Sequence, residues 1–517
     1  MLVAGLVAFA AVVVYRVSTA ISAPKVLLGI TASTAAMSGR RPTVVIVGGG
    51  LAGLSAAISA LQSGARSVVL LERSAKPGGN SIKASSGING APTRYQKGGE
   101  PDRDFFSDTV RSAGKRFSSS ESGQENRRTL IGVLTNGSSA AVDFLADEFG
   151  VDLSVVSQLG GHSVSRTHRG AGRTPPGAAI VAALLAKLAG EPNFQLRTNS
   201  EVTKLLTSHG RVTGVEYRSA RDRAPAVLVG SVIFATGGFA GDAQGSLAQY
   251  RPDLAGLPST NDPLPGMHGI LSDVGATLTD MDSVQIHPTG FVDRTTPTAA
   301  VKILAAELLR SEGGILLHRG RRFVNELETR DVISAAIMAL PPRGDHGEGG
   351  PRQWDITLLL DPGACEAAAH HVGFYVGKGL LRRVKVRELD APTRATIAEF
   401  AAVAHGDEAD KFGRTVFGHW RLKTAWEDSE LEVCVGMVTP VVHFTMGGVL
   451  INERSQVVGF SPEEQRSKPL TGLWAAGEVT GGIHGDNRLG GSSLLECVVF
   501  GFIAGEQATR FAEASQS

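Results

Sequence analysis

The sequence predicts an α/β fold whose principal domain is discontinuous, and two observations carry that prediction. Residues 43–47, 51–62 and 68–71 read as a buried β-branched strand, an Ala/Leu helix stopped by Gly64, and a second apolar strand, which together form one βαβ unit. A buried strand running into glycines then returns at 231–238 and again at 472–478. Segments from both ends of the chain therefore converge on one extended ligand.

Between the first strand and its helix lies Gly48-Gly49-Gly50-Leu51-Ala52-Gly53, a GxGxxG motif with the correct context on both sides. Gly48 allows the tight turn, Gly50 lets the backbone approach a pyrophosphate, and Gly53 lets the helix pack on the strand. The helix N-terminus supplies N–H donors and partial positive charge. Glu72 closes the second strand about 20 residues on, where a carboxylate meets ribose hydroxyls. These residues predict dinucleotide binding.

Further along, 177–188 reads as a helix capped by Gly190, and 201–206 with 212–217 as a hairpin turning at His209-Gly210. Residues 341–351 read as an exposed loop.

Composition bounds the function. The 517 residues suffice for two or three domains, and 42% hydrophobic with 20% charged residues is a globular composition. Fifty-one basic against 50 acidic residues leave a net charge of +1, so no global field favours nucleic acid. Cys365, Cys434 and Cys497 show neither CxxC nor CxxCH spacing, which argues against a disulfide framework, a thiolate metal site or a c-type haem. Glycine, at 64 residues, is about 12% of the chain against a usual ~7%. Many backbone segments must turn tightly or approach something closely.

Residues 1–40 read as a leader. The first fifteen or so are almost wholly apolar, shorter than the roughly 20 that span a bilayer. The stretch to Arg41 then carries basic residues among Ser, Thr and Ala, so the address reads as either mitochondrial or endoplasmic-reticulum. Any membrane contact is expected through this segment alone.

Five blocks occur in order: VVIVGGGLAGLSAA with LLE, GGNS with SSGING, VIFATGGF, ELLRSEGGILLHRGRRFVNELETRD, and HFTMGG with AAGEVTGGIHGDNRLGGSSLLE. Together they resemble soluble fumarate reductases, single-chain relatives of the succinate dehydrogenase flavoprotein subunit, and most closely the eukaryotic soluble branch. The resemblance implies a Rossmann-like, doubly wound FAD-binding domain at 41–285 and 444–517, with an α+β clamp (capping) domain inserted at 286–443. For FAD it implies contacts from Gly48, Gly50, Ala52, Gly53, Glu72, Asn80, Ser81, Ser85, Ser86, Val202, Thr236, Gly237, Phe444, Glu478, Ser493 and Leu494. It implies no metal.

Fumarate carries a carboxylate at each end of an alkene, so its site needs a cation or hydrogen-bond donor at both ends and a proton donor between them. By resemblance, His443 and Arg488 hold one carboxylate and His287 the other, with Gly491 offering a close backbone approach. Arg330 matches the family's proton donor. Arginine is a reluctant acid, with a pKa above 12, but the developing carbanion is a very strong base and a neighbouring cation disfavours the charged guanidinium. Glu307 and Arg310, three apart on an expected helix face, match the relay that returns the proton from solvent. The basic loop holding His162, Arg166, His168 and Arg169 is expected at the mouth of the site, without a chemical step.

Three departures stand out. Ala306 replaces a family threonine beside the relay glutamate, removing one hydroxyl from the site. The segment at 265–269 lacks the family's flavin-facing carboxylate. Ser81 stands where respiratory relatives carry the flavin-linking histidine, which predicts non-covalent FAD. With no haem motif or iron–sulfur cysteines, electrons are expected from reduced flavin or another external donor. Alternatives kept open are another small enoate or dicarboxylate, reduced or oxidised, and a flavoprotein subunit of a succinate dehydrogenase-like complex.

Overall fold

The computed structural model describes residues 44–97, 102–117, 121–172, 174–220, 224–343, 350–424, 427–461 and 465–515. The leader expected over 1–40 lies outside these residues, as does most of the loop expected at 341–351.

The βαβ unit forms as expected: β1 (Val44–Val47), α1 (Leu51–Gln62) and β2 (Val68–Leu71), with both strands buried along their whole length. In space, the six-stranded sheet runs Gln456–Ser461, Arg466–Ala475, Ser231–Phe234, β1, β2, Phe194–Arg197. All neighbours are parallel except the edge strand Gln456–Ser461. After β1 the chain builds outward on one side and then returns to the other. The order therefore reverses between β1 and Ser231–Phe234, and ligands of open α/β sheets bind in the crevice at such a reversal. Gly48 sits there with φ +107°, and a Cβ on it would lie 2.3 Å from the Ala235 carbonyl oxygen.

The C-terminal helix Ser492–Ala514 closes the domain by packing along α1. Gly501 and Gly505 permit that approach, since a Cβ on Gly505 would come within 2.4 Å of the Ala56 carbonyl oxygen. The hairpin Ser200–Ser208 with Arg211–Ser219 turns at His209 and Gly210, both at positive φ, as expected. The helix Pro176–Ala189 is followed by Gly190.

A second, antiparallel sheet contains Val284–Phe291, Glu432–Thr445, Ile356–Leu360, Ile315–His318 and Arg321–Arg322, with Arg382–Lys385 also pairing with Glu432–Thr445. Its first and last strands in chain order, Val284–Phe291 and Glu432–Thr445, overrun the expected limits 286 and 443. Its core also takes in Phe239, Leu247, Leu254 and Leu257, so residues just after the glycine turn at 237–238 pack with the inserted unit. The strand Glu432–Thr445 ends where Thr445 meets Glu478 of the first domain, its N–H donating to Oε1 at 3.0 Å. One strand thus carries clamp side chains to the nucleotide crevice.

Candidate active site

The crevice has the features that a dinucleotide requires. The N-cap of α1 is Gly50, which has no side chain to cap the helix end, where a ligand's anionic group can meet free N–H donors. A Cβ on Gly50 would meet nothing nearer than Ser81 Oγ at 3.9 Å, and one on Gly237 would meet nothing within 4 Å. At Gly53, by contrast, a Cβ would collide with the Gly48 carbonyl oxygen at 2.0 Å. The turn is locked at Gly48 and Gly53 and open at Gly50, as the motif predicts.

Glu72 is buried, accepting the Gly49 N–H at Oε2 and the Ser74 N–H at Oε1, each at 2.7 Å. Its remaining lone pairs suit ribose hydroxyls. Thr236 Oγ1, at the end of the neighbouring strand, is buried without a partner. Ser81 Oγ accepts the Leu51 N–H at 3.2 Å. Asn80, Ser85 and Ser86 flank the same turn, Ser81–Lys83. Ala52, Ser493 and Leu494 lie in the first turns of the two packed helices. Val202 is an exception in kind: its side chain is in the apolar core, leaving only main chain for a ligand. These open glycines and unpartnered donors fit FAD.

The expected substrate residues converge from four segments. His287 comes from Val284–Phe291 and His443 from the paired strand Glu432–Thr445, their ring centroids 5.4 Å apart. Arg330 opens the helix Arg330–Met338. Arg488 lies in the loop before the C-terminal helix, its guanidinium 4.2 Å from the Phe444 ring centroid. Arg330 Nε and Nη2 donate to Glu307 Oε2 at 2.9 and 2.5 Å. Arg330 Nη1 and Arg488 Nη2 both donate to Gln285 Oε1, at 2.9 and 3.0 Å.

Gln285 was not anticipated. It holds two like charges together on one carbonyl oxygen while its Nε2 donates to the Asn487 side chain and the Arg488 carbonyl, each at 2.7 Å. Its place two residues before His287, the spacing that puts strand residues on one face, was the available signal. Arg414, fully buried, was also missed. It donates to the Arg310 carbonyl at 3.0 Å and to Glu326 at 2.9 Å, and Arg310 donates to the Glu326 carbonyl at 2.6 Å.

Two expectations change in detail. Glu307 is the N-cap of a one-turn helix, Leu308–Ser311, and its carboxylate stands 4.0 Å from Arg310 while bonding directly to Arg330. The relay is therefore an ion pair with Arg330 and only a charge contact with Arg310. The close approach at Gly491 is made by Asn89, whose Oδ1 would lie 2.2 Å from a Cβ there. Ala306 offers no replacement for the lost hydroxyl, because its N–H donates to Tyr375 Oη at 3.0 Å.

The electrostatics are those of an anion site awaiting its charge. Arg310, Arg330 and Arg488, all buried, gather around the carboxylate of Glu307, with Glu326 also acting on Arg310 and Glu496 and Glu478 on Arg488. Burial and the Arg330 charge push Arg488 down to about 9. Burial and Arg330 also hold His287 and His443 well below the usual histidine range, so both rings are neutral. Burial alone would raise Glu307, but the Arg330 and Arg310 charges take it down to about 2. Burial raises Glu478 to about 7. His287 Nδ1 accepts the Thr289 N–H at 3.2 Å, so the proton sits on Nε2, which is buried without a partner; Arg488 Nε is likewise unpartnered. Such donors are costly to bury unless a ligand completes them. A small dianion would complete them.

Comparison with known proteins agrees with this geometry. The FAD binding domain family matches residues 43–494. The chain is 42% identical over 485 residues to fumarate reductase 1 of Saccharomyces cerevisiae, covering 90% of this chain and 97% of that one. It is 39% identical over 487 residues to the fumarate reductase of Schizosaccharomyces pombe, covering 90% and 89%. Among solved structures, the open conformation of a flavocytochrome c3 fumarate reductase aligns with a TM-score of 0.70 at 29% identity, covering 92% of this chain and 79% of that one. The chain belongs to the FAD-binding fumarate reductase family.

Proposed function

We propose that the protein reduces fumarate to succinate. The observation that carries this reading is the convergence of buried Arg330, Arg488 and His287 with half-buried His443 into one cluster with unpartnered donors beside the nucleotide crevice. Arg488 and His443 hold one carboxylate and His287 Nε2–H the other. Bound FAD supplies the chemistry of a two-electron hydride donor through its N5 position. Arg330 gives a proton to the adjacent alkene carbon, which completes the addition of two hydrogens.

Restoring that proton follows from the charges. Glu307 is held as a carboxylate by Arg330 and Arg310; when Arg330 gives up its proton its charge no longer contributes to that hold, and Glu307 becomes a better proton acceptor. Burial and the neighbouring Arg414 charge weaken Arg310's grip on its proton, so a proton passes from Arg310 through Glu307 to the neutral Arg330, and Arg310 is recharged from solvent. The buried setting strengthens each of these interactions relative to water.

FAD is bound without a covalent link, because Ser81 occupies the linking position; acid precipitation should release all the yellow colour into the supernatant. Electrons come from an external donor, and the leader directs the chain to the mitochondrion or the endoplasmic reticulum. Ala306 also favours a second reading, in which larger or less charged enoates compete, since neither its side chain nor its N–H is free to meet a second carboxylate. Anaerobic assay of the purified flavoprotein with reduced viologen decides between them. Fumarate should oxidise the donor and yield one succinate per two electrons. No oxidation with fumarate, but turnover of another enoate, would favour the second reading.

A further inference from the structure

Resting on the fumarate reading, we propose that His162, held by the Asp102–Arg166–Asp108 array, is a positioning residue for the proton relay, fixing the Gly160 N–H on Glu307 and the Gly490 peptide against Arg330. The basic loop that the sequence places at the mouth of the site thus acquires a role.

Two glycines, Gly160 of this loop and Gly490 of the segment before the C-terminal helix, touch the relay. The Gly160 N–H donates to Glu307 Oε1 at 3.1 Å, which leaves Oε2 to Arg330. A side chain at position 160 would be tight, since a Cβ would stand 3.1 Å from Glu307 Oε1 and 3.2 Å from the Glu328 carbonyl oxygen and would press on the carboxylate. Gly490 covers the same ion pair from the other side: a Cβ on it would lie 3.2 Å from both Arg330 Nη2 and Glu307 Oε2.

His162 joins these two points. Arg166 Nη1 lies 2.8 Å from His162 Nδ1, and a guanidinium can only donate, so Nδ1 accepts and the proton is on Nε2. That Nε2–H donates to the Gly490 carbonyl at 3.1 Å. The His162 carbonyl accepts from Gln158 Nε2 at 2.7 Å and its N–H donates to the Leu159 carbonyl at 3.2 Å, closing the turn that aims the Gly160 N–H.

Arg166 is itself completely buried and has no free direction. It pairs with Asp102 through Nε at 2.7 Å and Nη2 at 3.1 Å, and with Asp108 through Nη1 at 2.7 Å. Asp108 also accepts the Ser163 N–H at 2.8 Å, returning to the loop. Burying such an array is a weak way to gain stability, and its best-attested use is to impose one arrangement. Here the arrangement imposed is that of Glu307 and Arg330, whose alignment sets the rate of proton return. A misplacement of about 1 Å at such a group costs on the order of a hundredfold in rate.

The test uses the full-length flavoprotein, anaerobic turnover with reduced viologen and fumarate, and the solvent deuterium isotope effect on kcat. His162→Leu should lower kcat at least tenfold, leave KM for fumarate and FAD content unchanged, and raise the isotope effect as proton return becomes limiting. His162→Gln, whose Nε2 reaches the Gly490 carbonyl, should recover most of the rate. Gly160→Ala presses a methyl group on Glu307 Oε1 without touching the histidine, and should reproduce the leucine phenotype even if His162→Leu does not fold. Parent-like kcat and isotope effects in Gly160→Ala and a folded His162→Leu would overturn the inference, as would a raised KM at unchanged kcat or no rescue by glutamine. A parent protein without fumarate turnover would instead defeat the reading on which the inference rests.

Discussion

The nucleotide crevice and the anion cluster sit side by side but are made of different materials. The crevice is built mostly from main chain: glycines at 48, 50, 53 and 237, a helix N-terminus, and one carboxylate at Glu72. The cluster is built from side chains delivered by remote segments, with three buried guanidiniums and neutral imidazoles held around Gln285 and Glu307. The first binds a large ligand through shape and N–H donors; the second holds unsatisfied charge until a small dianion arrives. Binding and chemistry should therefore be separable by mutation.

The largest separation is expected at Arg330. Arg330→Ala removes the proposed proton donor and the side chain paired with Glu307, and kcat should fall by about a thousandfold while the flavin absorbance per chain stays the same. Retained turnover would remove Arg330 from the chemistry. At Gly53 the converse is expected, because a methyl group there meets the Gly48 carbonyl oxygen at 2.0 Å. Gly53→Ala should cost about 1–3 kcal/mol in stability and most of the bound FAD. Full occupancy with an unchanged melting temperature would contradict the close helix–strand contact. Glu72→Ala is milder: losing hydrogen bonds to a carboxylate should weaken FAD by roughly tenfold, read as flavin lost on dialysis, with kcat per bound flavin unaltered.

The smallest effect concerns pH. His287 and His443 have folded pKa values below their unfolded value of about 6.5. Their neutral forms therefore contribute stability above pH 6.5 that is lost as pH falls toward the folded values, where the unfolded chain binds more protons. His162, taken to about 4 by burial and Arg166, acts in the same direction. The melting temperature of the substrate-free protein should drop between pH 6.5 and pH 4, and malonate should reduce the drop by favouring protonated rings. A flat profile over that range would mean that these histidines are not buried neutral.

The same contrast explains what the sequence disclosed. The crevice was legible because its parts are contiguous: the strand, the GxGxxG turn, the helix and Glu72 follow one another, and each residue's local conformation dictates its type. The cluster's members were legible only through blocks resembling a known family, since nothing local ties His287 to Arg488. Gln285 and Arg414 escaped notice because their importance lies in contacts with far segments. Glu307 and Arg310 show the limit of spacing rules. Three residues apart on a helix places two side chains on one face, but Glu307 caps the helix and turns its carboxylate to Arg330, which the spacing does not encode.

A crystal structure with FAD and malonate tests the assembled site most directly. The dianion should lie beside the isoalloxazine ring within hydrogen-bond reach of Arg488, His443 and His287 Nε2, with Arg330 directed at it and still joined to Glu307. A dianion bound away from the ring, or these four side chains pointing apart around it, would contradict the account.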